Sequence, residues 1–299
     1  FVQDYDQTIE VHPTVTHRID DFNREIRFLK NNFDVVPLDQ VVNRLKSEKK
    51  FKKPTVAITV DDGFKDNYDL LFPVLQKYKV NVTIFLTTGV IGTEKRLWVG
   101  RLEKKFLETV RKEIRLDGIF KGVNFDISSI EKKRKVYLQV VSRLKNIDTK
   151  ERDRYLQMIG KKLGTPLYDS PTMLNWDQIR EMHKANIHFG AHTVNHPILT
   201  NISLEEAKKE ILDSKLKIEQ ELGQPIKHFA FPNGRERDFN EELRQYCKDI
   251  GFESVSSCTY GYNDSKEDVY SLKRIGSEVP ISLYALNVFR AFHIKEAKP

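Results

Sequence analysis

Apolar and polar positions change period repeatedly along the chain, and each change marks an element. Thr55-Val56-Ala57-Ile58-Thr59-Val60 is a continuous apolar run, short enough for a buried strand, and it passes directly into Asp61-Asp62-Gly63. From about Asn67 to Tyr78 the period becomes helical, with Leu71, Val74, Leu75 and Tyr78 on one face. Strand-like runs return at Val82 to Thr87, Ile187 to Gly190, His228 to Phe231 and Glu253 to Ser256. Strands alternating with helices predict parallel βα units and an α/β fold. Helix starts are marked by Ser203 with Glu206, Ser128 with Glu131 and, more loosely, Asn175 with Gln178.

The stretch from Arg96 to Gly164 differs. It lacks strand signals and carries helical stripes: Leu102, Phe106 and Val110, then Val136, Val140, Val141 and Leu144, then Leu156, Ile159 and Leu163. It predicts a helical insertion into a single domain spanning 1–299, too long for a plain loop and of the kind that serves as a lid or binding element.

Composition adds one asymmetry. The chain has 299 residues and a net charge of +7, but 96–164 alone holds 19 Lys/Arg against 9 Asp/Glu. A basic insertion on a slightly acidic remainder suits an anionic partner, such as an acidic glycan or a lipid-phosphate carrier; a solvated helical face is the plainer alternative. No nucleic-acid recognition motif accompanies the charge. The longest apolar stretch, Val82 to Ile91, is interrupted by threonines and a glycine, well short of the roughly 20 residues that span a bilayer. The chain opens on Phe1 rather than Met, so a missing leader carries no information about export; a cytoplasmic or membrane-peripheral location is the expectation. Cys247 and Cys258 are too few for a disulfide framework and read as buried free thiols.

The chemistry collects at predicted strand ends. Asp61 and Asp62 leave one strand, His192 and His196 a second, and Pro232-Asn233-Gly234 a third. In parallel α/β barrels that rim carries the active site. Two imidazoles and a carboxylate make a catalytic zinc shell with one position open, leaving the second aspartate as a base. On extended backbone, adjacent aspartates would face opposite ways. Thr193 can hold the histidine turn through its hydroxyl, and Pro197 stops a helix from forming there. His12, His17, His183, His188, His228 and His293 lack such context; His188 and His228 read as satisfied residues inside strands, and His293 as surface.

Thr59-Val60-Asp61-Asp62-Gly63, His192-Thr193-Val194-Asn195-His196 and Phe231-Pro232-Asn233-Gly234, in this order and spacing, resemble the polysaccharide deacetylases of carbohydrate esterase family 4, over roughly Ile26 to Ile275. The resemblance implies a distorted (β/α) barrel that deacetylates N-acetylated sugars with a divalent metal, zinc or a substitute such as cobalt. It assigns Asp61 as catalytic base, Asp62, His192 and His196 as metal ligands, and the Asn233 backbone amide as oxyanion donor. Trp98-Val99-Gly100-Arg101-Leu102-Glu103 and Leu174-Asn175-Trp176-Asp177 further resemble bacterial members associated with O-antigen, exopolysaccharide and lipopolysaccharide assembly.

Three family features are missing. Ala230 stands where an arginine usually orients the base, the late leucine-x-histidine motif that supplies the general acid reads Leu272-Lys273-Arg274, and the aspartate–tryptophan pair beside the acetyl pocket is not found. Arg274, at a predicted strand end, is the candidate replacement for the arginine. The missing groups keep open a catalytically weakened carbohydrate-binding protein of the same fold. A two-histidine, one-carboxylate site also occurs in non-haem iron oxygenases, though these need no second carboxylate and usually sit on all-β sandwiches.

Overall fold

The computed structural model describes residues 2–3, 17–47, 53–165, 172–277 and 281–293; His12 lies outside them. Six strands form the central sheet: β1 (Ile58–Val60), β2 (Val82–Leu86), β3 (His188–Ala191), β4 (His228–Ala230), β5 (Ser254–Tyr260) and β6 (Leu272–Arg274). They pair in the order β6-β5-β4-β3-β2-β1, and every pairing is parallel. The register keeps their carboxyl ends level: Val60 lies opposite Ile84, Leu86 opposite Ala191, Ala191 opposite Phe229, and Ala230 opposite Ser256. Residues that follow these positions therefore share one rim.

The apolar run at 55–60 is two strands rather than one. Thr55–Val56 pairs with Asp34–Val35, the chain breaks at Ala57, and only Ile58–Val60 joins the main sheet. All six residues are half-buried, because β1 is an edge strand. The inner strands match the buried-strand pattern: Ile84, Phe85, Leu86, Phe229 and Ala230 are fully buried. Gly190 in β3 leaves room for Phe85, whose ring carbons would lie 2.5 and 2.6 Å from any added Cβ.

Helices cover the sheet. They are α1 (Ile19–Asn32), α2 (Leu38–Lys46), α3 (Phe72–Tyr78), α4 (Trp98–Glu108), α5 (Ile130–Leu144), α6 (Thr149–Leu163), α7 (Trp176–Lys184), α8 (Leu204–Leu222), α9 (Glu241–Asp249) and α10 (Ile281–His293). Their apolar stripes supply the main core, each fully buried large side chain contributing about 1.5–3 kcal/mol. The expected boxes at Ser203 and Asn175 both form, with side chain and backbone bonds in both directions. The third shifts by one residue: Ser129, not Ser128, caps α5, accepting from Lys132 N. Across the open side of the sheet, Phe28 and Phe33 of the α1 region meet Tyr284 and Val288 of α10, together with Ile58 and Ile275.

Residues 98–163 build their own apolar cluster, from Trp98, Leu102 and Phe106 through Val136 and Val140 to Ile159 and Leu163. The segment is not purely helical: Glu113–Arg115 and Asn124–Asp126 form an antiparallel hairpin between α4 and α5. Each strand is three residues long and one face is exposed, so no apolar run announced it. Cys247 is buried as expected, but Cys258 is exposed at the rim.

Candidate active site

Asp61 and Asp62 follow β1 directly, and the second residue leaves extended backbone: Asp62 has φ 77° and Gly63 φ 81°. The two carboxylates point apart because the chain turns left-handed between them, not because a strand alternates. At Gly63 an added Cβ would lie 2.7 Å from Leu86 Cδ2, so both conformation and space call for glycine. The turn is bound on two sides, Thr87 N donating to Asp62 O and Leu174 N to Gly63 O.

The histidines leave β3 on a loop with two more left-handed residues, Thr193 at φ 66° and His196 at φ 54°. Left-handed backbone at a β-branched residue is costly and persists where the surroundings impose it. Here Thr88 N and Gly89 N donate to the carbonyls of Thr193 and Val194, and Thr193 Oγ1 accepts from His196 N at 3.0 Å. From below, Glu210 of α8 accepts from Val194 N, Asn195 N and Asn195 Nδ2 at 2.7–2.8 Å. Glu210 was invisible as a site residue in sequence, since it lies on an ordinary amphipathic helix 14 positions beyond His196.

The side chains converge. His192 Nε2 lies 3.5 Å and His196 Nε2 3.3 Å from the same atom, Asp62 Oδ1. His192 Nδ1 is 2.7 Å from Ala230 O, so Nδ1 donates there and Nε2 is the ring nitrogen turned toward Asp62. Burial, offset in part by Asp62, pushes His196 down to about 4, keeping that ring neutral near pH 7. Asp62 Oδ1 is buried without a hydrogen-bond partner. Lone pairs facing an orphaned carboxylate oxygen repel one another unless a cation lies between them. Ligand atoms about 2.1 Å from a tetrahedral zinc stand roughly 3.4 Å apart, close to the separations found. Asp62, His192 and His196 thus fit a divalent ion, and they form the one such cluster among the described residues.

Asp61 faces the other way. Arg274, at the end of β6, donates from Nη1 to Asp61 Oδ1 at 2.7 Å and from Nη2 to Oδ2 at 2.9 Å, a two-pronged pair. Its Nε donates to Ser257 O and Nη1 also reaches Thr59 Oγ1. Burial, the largest single influence, would raise the Asp61 pKa, but the charge and hydrogen bonds of Arg274 together with the neighbouring histidines outweigh it, and the carboxyl is held at about 2. Asp61 is therefore ionised throughout the physiological range. Asn233 sits in the turn after β4 at φ 59°, on the same rim, and among the described residues no acceptor takes its N–H.

The polysaccharide deacetylase family model matches residues 48–120 and 123–255. The chain belongs to the polysaccharide deacetylase family. It is 29% identical over 172 residues to a Staphylococcus epidermidis poly-beta-1,6-N-acetyl-D-glucosamine N-deacetylase, a match spanning 57% of this chain and 58% of that protein. Among solved structures it resembles Streptococcus pyogenes deacetylase PplD in complex with acetate, with TM-score 0.64 and 18% identity over 97% of this chain and 93% of the other. It also resembles IcaB from Ammonifex degensii, with TM-score 0.59 and 16% identity over 92% and 89% of the two chains. These likenesses establish the family's α/β fold, its parallel sheet curled into an incomplete barrel.

His188 and His228 are structural, while His12 and the side chains of His17 and His293 lie outside what the structure describes. His228 Nε2 lies 2.8 Å from Asp39 Oδ1 and its Nδ1 2.8 Å from Ser254 Oγ, while His188 Nδ1 is 3.6 Å from Asp39 Oδ2. This cluster ties α2 to the amino-terminal ends of three strands, opposite the rim. No helix among the described residues is long and apolar enough to cross a membrane.

Proposed function

We propose that this chain is a metal-dependent deacetylase that hydrolyses the acetamide of an N-acetylated sugar, in a bacterial polysaccharide or its precursor. The observation that carries the reading is the convergence of Asp62, His192 and His196 on one point, with a clamped, ionised Asp61 as the neighbouring residue.

Asp62, His192 and His196 hold the ion, zinc or a substitute such as cobalt. When bound there, a divalent ion would supply Lewis acidity toward the acetamide carbonyl and the attacking water. Asp61 accepts the proton of the attacking water. A carboxylate held at about 2 is a weak base, which suits a water already made acidic. Arg274 replaces the arginine missing at Ala230, fixing Asp61 in orientation and charge. The Asn233 N–H donates to the oxyanion, an interaction typically worth about 2.7–4 kcal/mol.

The Staphylococcus relative supports an N-acetylglucosamine polymer as the substrate class. The basic face of 96–164 suits an anionic or lipid-linked carrier at the cytoplasmic or membrane-peripheral side. We read 1–299 as one catalytic domain carrying that insertion.

The test is acetate release from N-acetylglucosamine oligomers by chelated protein reloaded with zinc, cobalt or iron. Release with zinc or cobalt supports the reading. Sugar binding without release under any metal supports the weakened binder, and activity only with iron and oxygen supports an oxygenase.

A further inference from the structure

Within the deacetylase reading, the base and the oxyanion donor must stay aligned with each other, yet they come from different strands. Asp61 follows the edge strand β1, and Asn233 follows β4, three strands away. One segment touches the supports of both. β5 lies between β4 and β6, and its pairing with β6 loses register: Ser256 lies opposite Leu272, but Tyr260 lies opposite Arg274. Four steps along β5 therefore match two along β6, and the surplus backbone between them leaves the regular ladder.

This bulge turns its polar groups both ways. Toward β6, Ser257 O accepts from Arg274 Nε at 2.7 Å and Cys258 Sγ accepts from Arg274 Nη2 at 3.2 Å. The guanidinium that forks onto Asp61 is thus itself held at two of its nitrogens. Toward β4, Cys258 N donates to Gly234 O at 2.7 Å, fastening the turn that carries Asn233. The approach is close, since a Cβ on Gly234 would stand 2.8 Å from Cys258 N. Ser257, fully buried, keeps the bulge in this shape. Its hydroxyl donates to Leu272 O at 3.1 Å and accepts from Thr259 N at 3.2 Å, closing the irregular stretch on itself and onto β6. Alanine can make neither bond.

We propose that Ser257 is a positioning residue of this deacetylase, its buried hydroxyl setting the β5 bulge as a common mount for the Arg274–Asp61 clamp and the Asn233 turn. Base and oxyanion donor are aligned through that one segment. The metal ligands have separate supports: Thr87 binds the Asp62 turn, while Thr88, Gly89 and Glu210 bind the histidine loop. Loosening the mount therefore costs turnover and leaves metal binding intact. A displacement of about 1 Å at a reacting group can cost about 10²-fold in rate.

Metal-loaded Ser257→Ala is assayed on an N-acetylglucosamine oligomer, alone and in double-mutant cycles with Arg274→Ala, Gly234→Ala and Glu210→Ala. The single variant is expected to lose about 10–100-fold in kcat, with KM and zinc affinity within about twofold of wild type. That loss is expected to shrink when Arg274→Ala or Gly234→Ala is already present, and to stay whole beside Glu210→Ala, which acts on the histidine loop. Cys258→Ala, at an exposed position, removes the Sγ acceptor alone. It is expected to cost about threefold, again non-additively with Arg274→Ala. The mount is overturned if Ser257→Ala lowers Tm but keeps kcat within about twofold, if all the cycles are additive, or if zinc affinity falls as far as kcat. Failure of wild type to release acetate from any N-acetylated glycan would instead sink the deacetylase reading. The same cycles read in urea midpoints then decide the mount: coupling of Ser257 with Arg274 and Gly234 supports it, and additivity overturns it.

Discussion

Replacing Arg274 with alanine removes both hydrogen bonds to Asp61 and leaves a carboxylate alone in a largely enclosed place. The Arg274 and Asp61 side chains are 18% and 28% exposed, so the pair is neither a surface bridge nor a fully buried one. Breaking a buried pair costs about 3–5 kcal/mol, and the residual solvent access reduces this to roughly 2–4 kcal/mol. For a chain of this size that corresponds to a fall of about 4–8 °C in Tm. The functional effect has a definite sign. Asp61 lies below an ordinary carboxylate because Arg274, with the neighbouring histidines, more than offsets its burial, so removing Arg274 lets the pKa rise. A base works only when deprotonated, so the acid limb of kcat/KM moves to higher pH, and kcat falls by about 10²-fold through lost orientation. The linked stability follows the same direction. The contribution of a depressed carboxylate is complete above its unfolded value near 3.9 and is lost as pH falls toward 2. Arg274→Lys, keeping charge but not the fork, is expected to recover part of the stability and little of the rate. The assay is acetate release from pH 4 to 9, with metal content and Tm measured on the same samples. An Arg274→Ala enzyme with wild-type turnover, normal metal and an unshifted acid limb would refute the clamp.

Three further outcomes are expected. Zinc added to chelated wild type raises Tm, a ligand at 100 times its Kd stabilising by about 2.7 kcal/mol, and Asp62→Ala or His196→Ala abolishes that rise in calorimetry. Glu210→Ala frees three donors of the histidine loop and weakens metal affinity about 10–100-fold by competitive chelation, with Glu210→Gln retaining part of the loss-free behaviour. Asp39→Asn removes a charge-assisted bond worth about 1.5–3 kcal/mol at the far end of the strands, lowering denaturant resistance while leaving kcat within about twofold. His188 and His228 hold Asp39 well below the usual carboxylate range, so its stabilisation is present above about pH 4 and lost on acidification. Acid unfolding of Asp39→Asn should therefore depend less on pH.

The parallel α/β arrangement was legible because short strand-like runs, with apolar residues such as Ile84, Phe85, Phe189 and Phe229, alternate with helices that carry a clear stripe. The pairing of Asp62 with His192 and His196 was legible because strand ends share a rim. What escaped depends on partners distant in sequence. Asp62, Thr193, His196 and Asn233 adopt left-handed backbone, which a β-branched residue such as Thr193 rarely takes, and at Thr193 the loop after β2 holds it through Thr88 N. Glu210 sits on a helix whose polar face looks ordinary until the fold turns it toward the histidine loop. Cys258 is exposed because the parallel pairing of β5 with β6 is irregular between Ser256 and Tyr260, a local shift that no hydrophobic pattern encodes.

The two largest apolar clusters, one under the sheet and one inside residues 98–163, divide the labour of the molecule. Substitutions that reshape the outer lobe's surface are absorbed by its own packing and need not propagate to the strands that aim the ligands. A lineage can in this way remodel a peripheral module while the strands that aim Asp62, His192 and His196 stay fixed. The exception is the corner at Lys145 and Asn201, where lobe and barrel meet and where drift in one must be matched in the other.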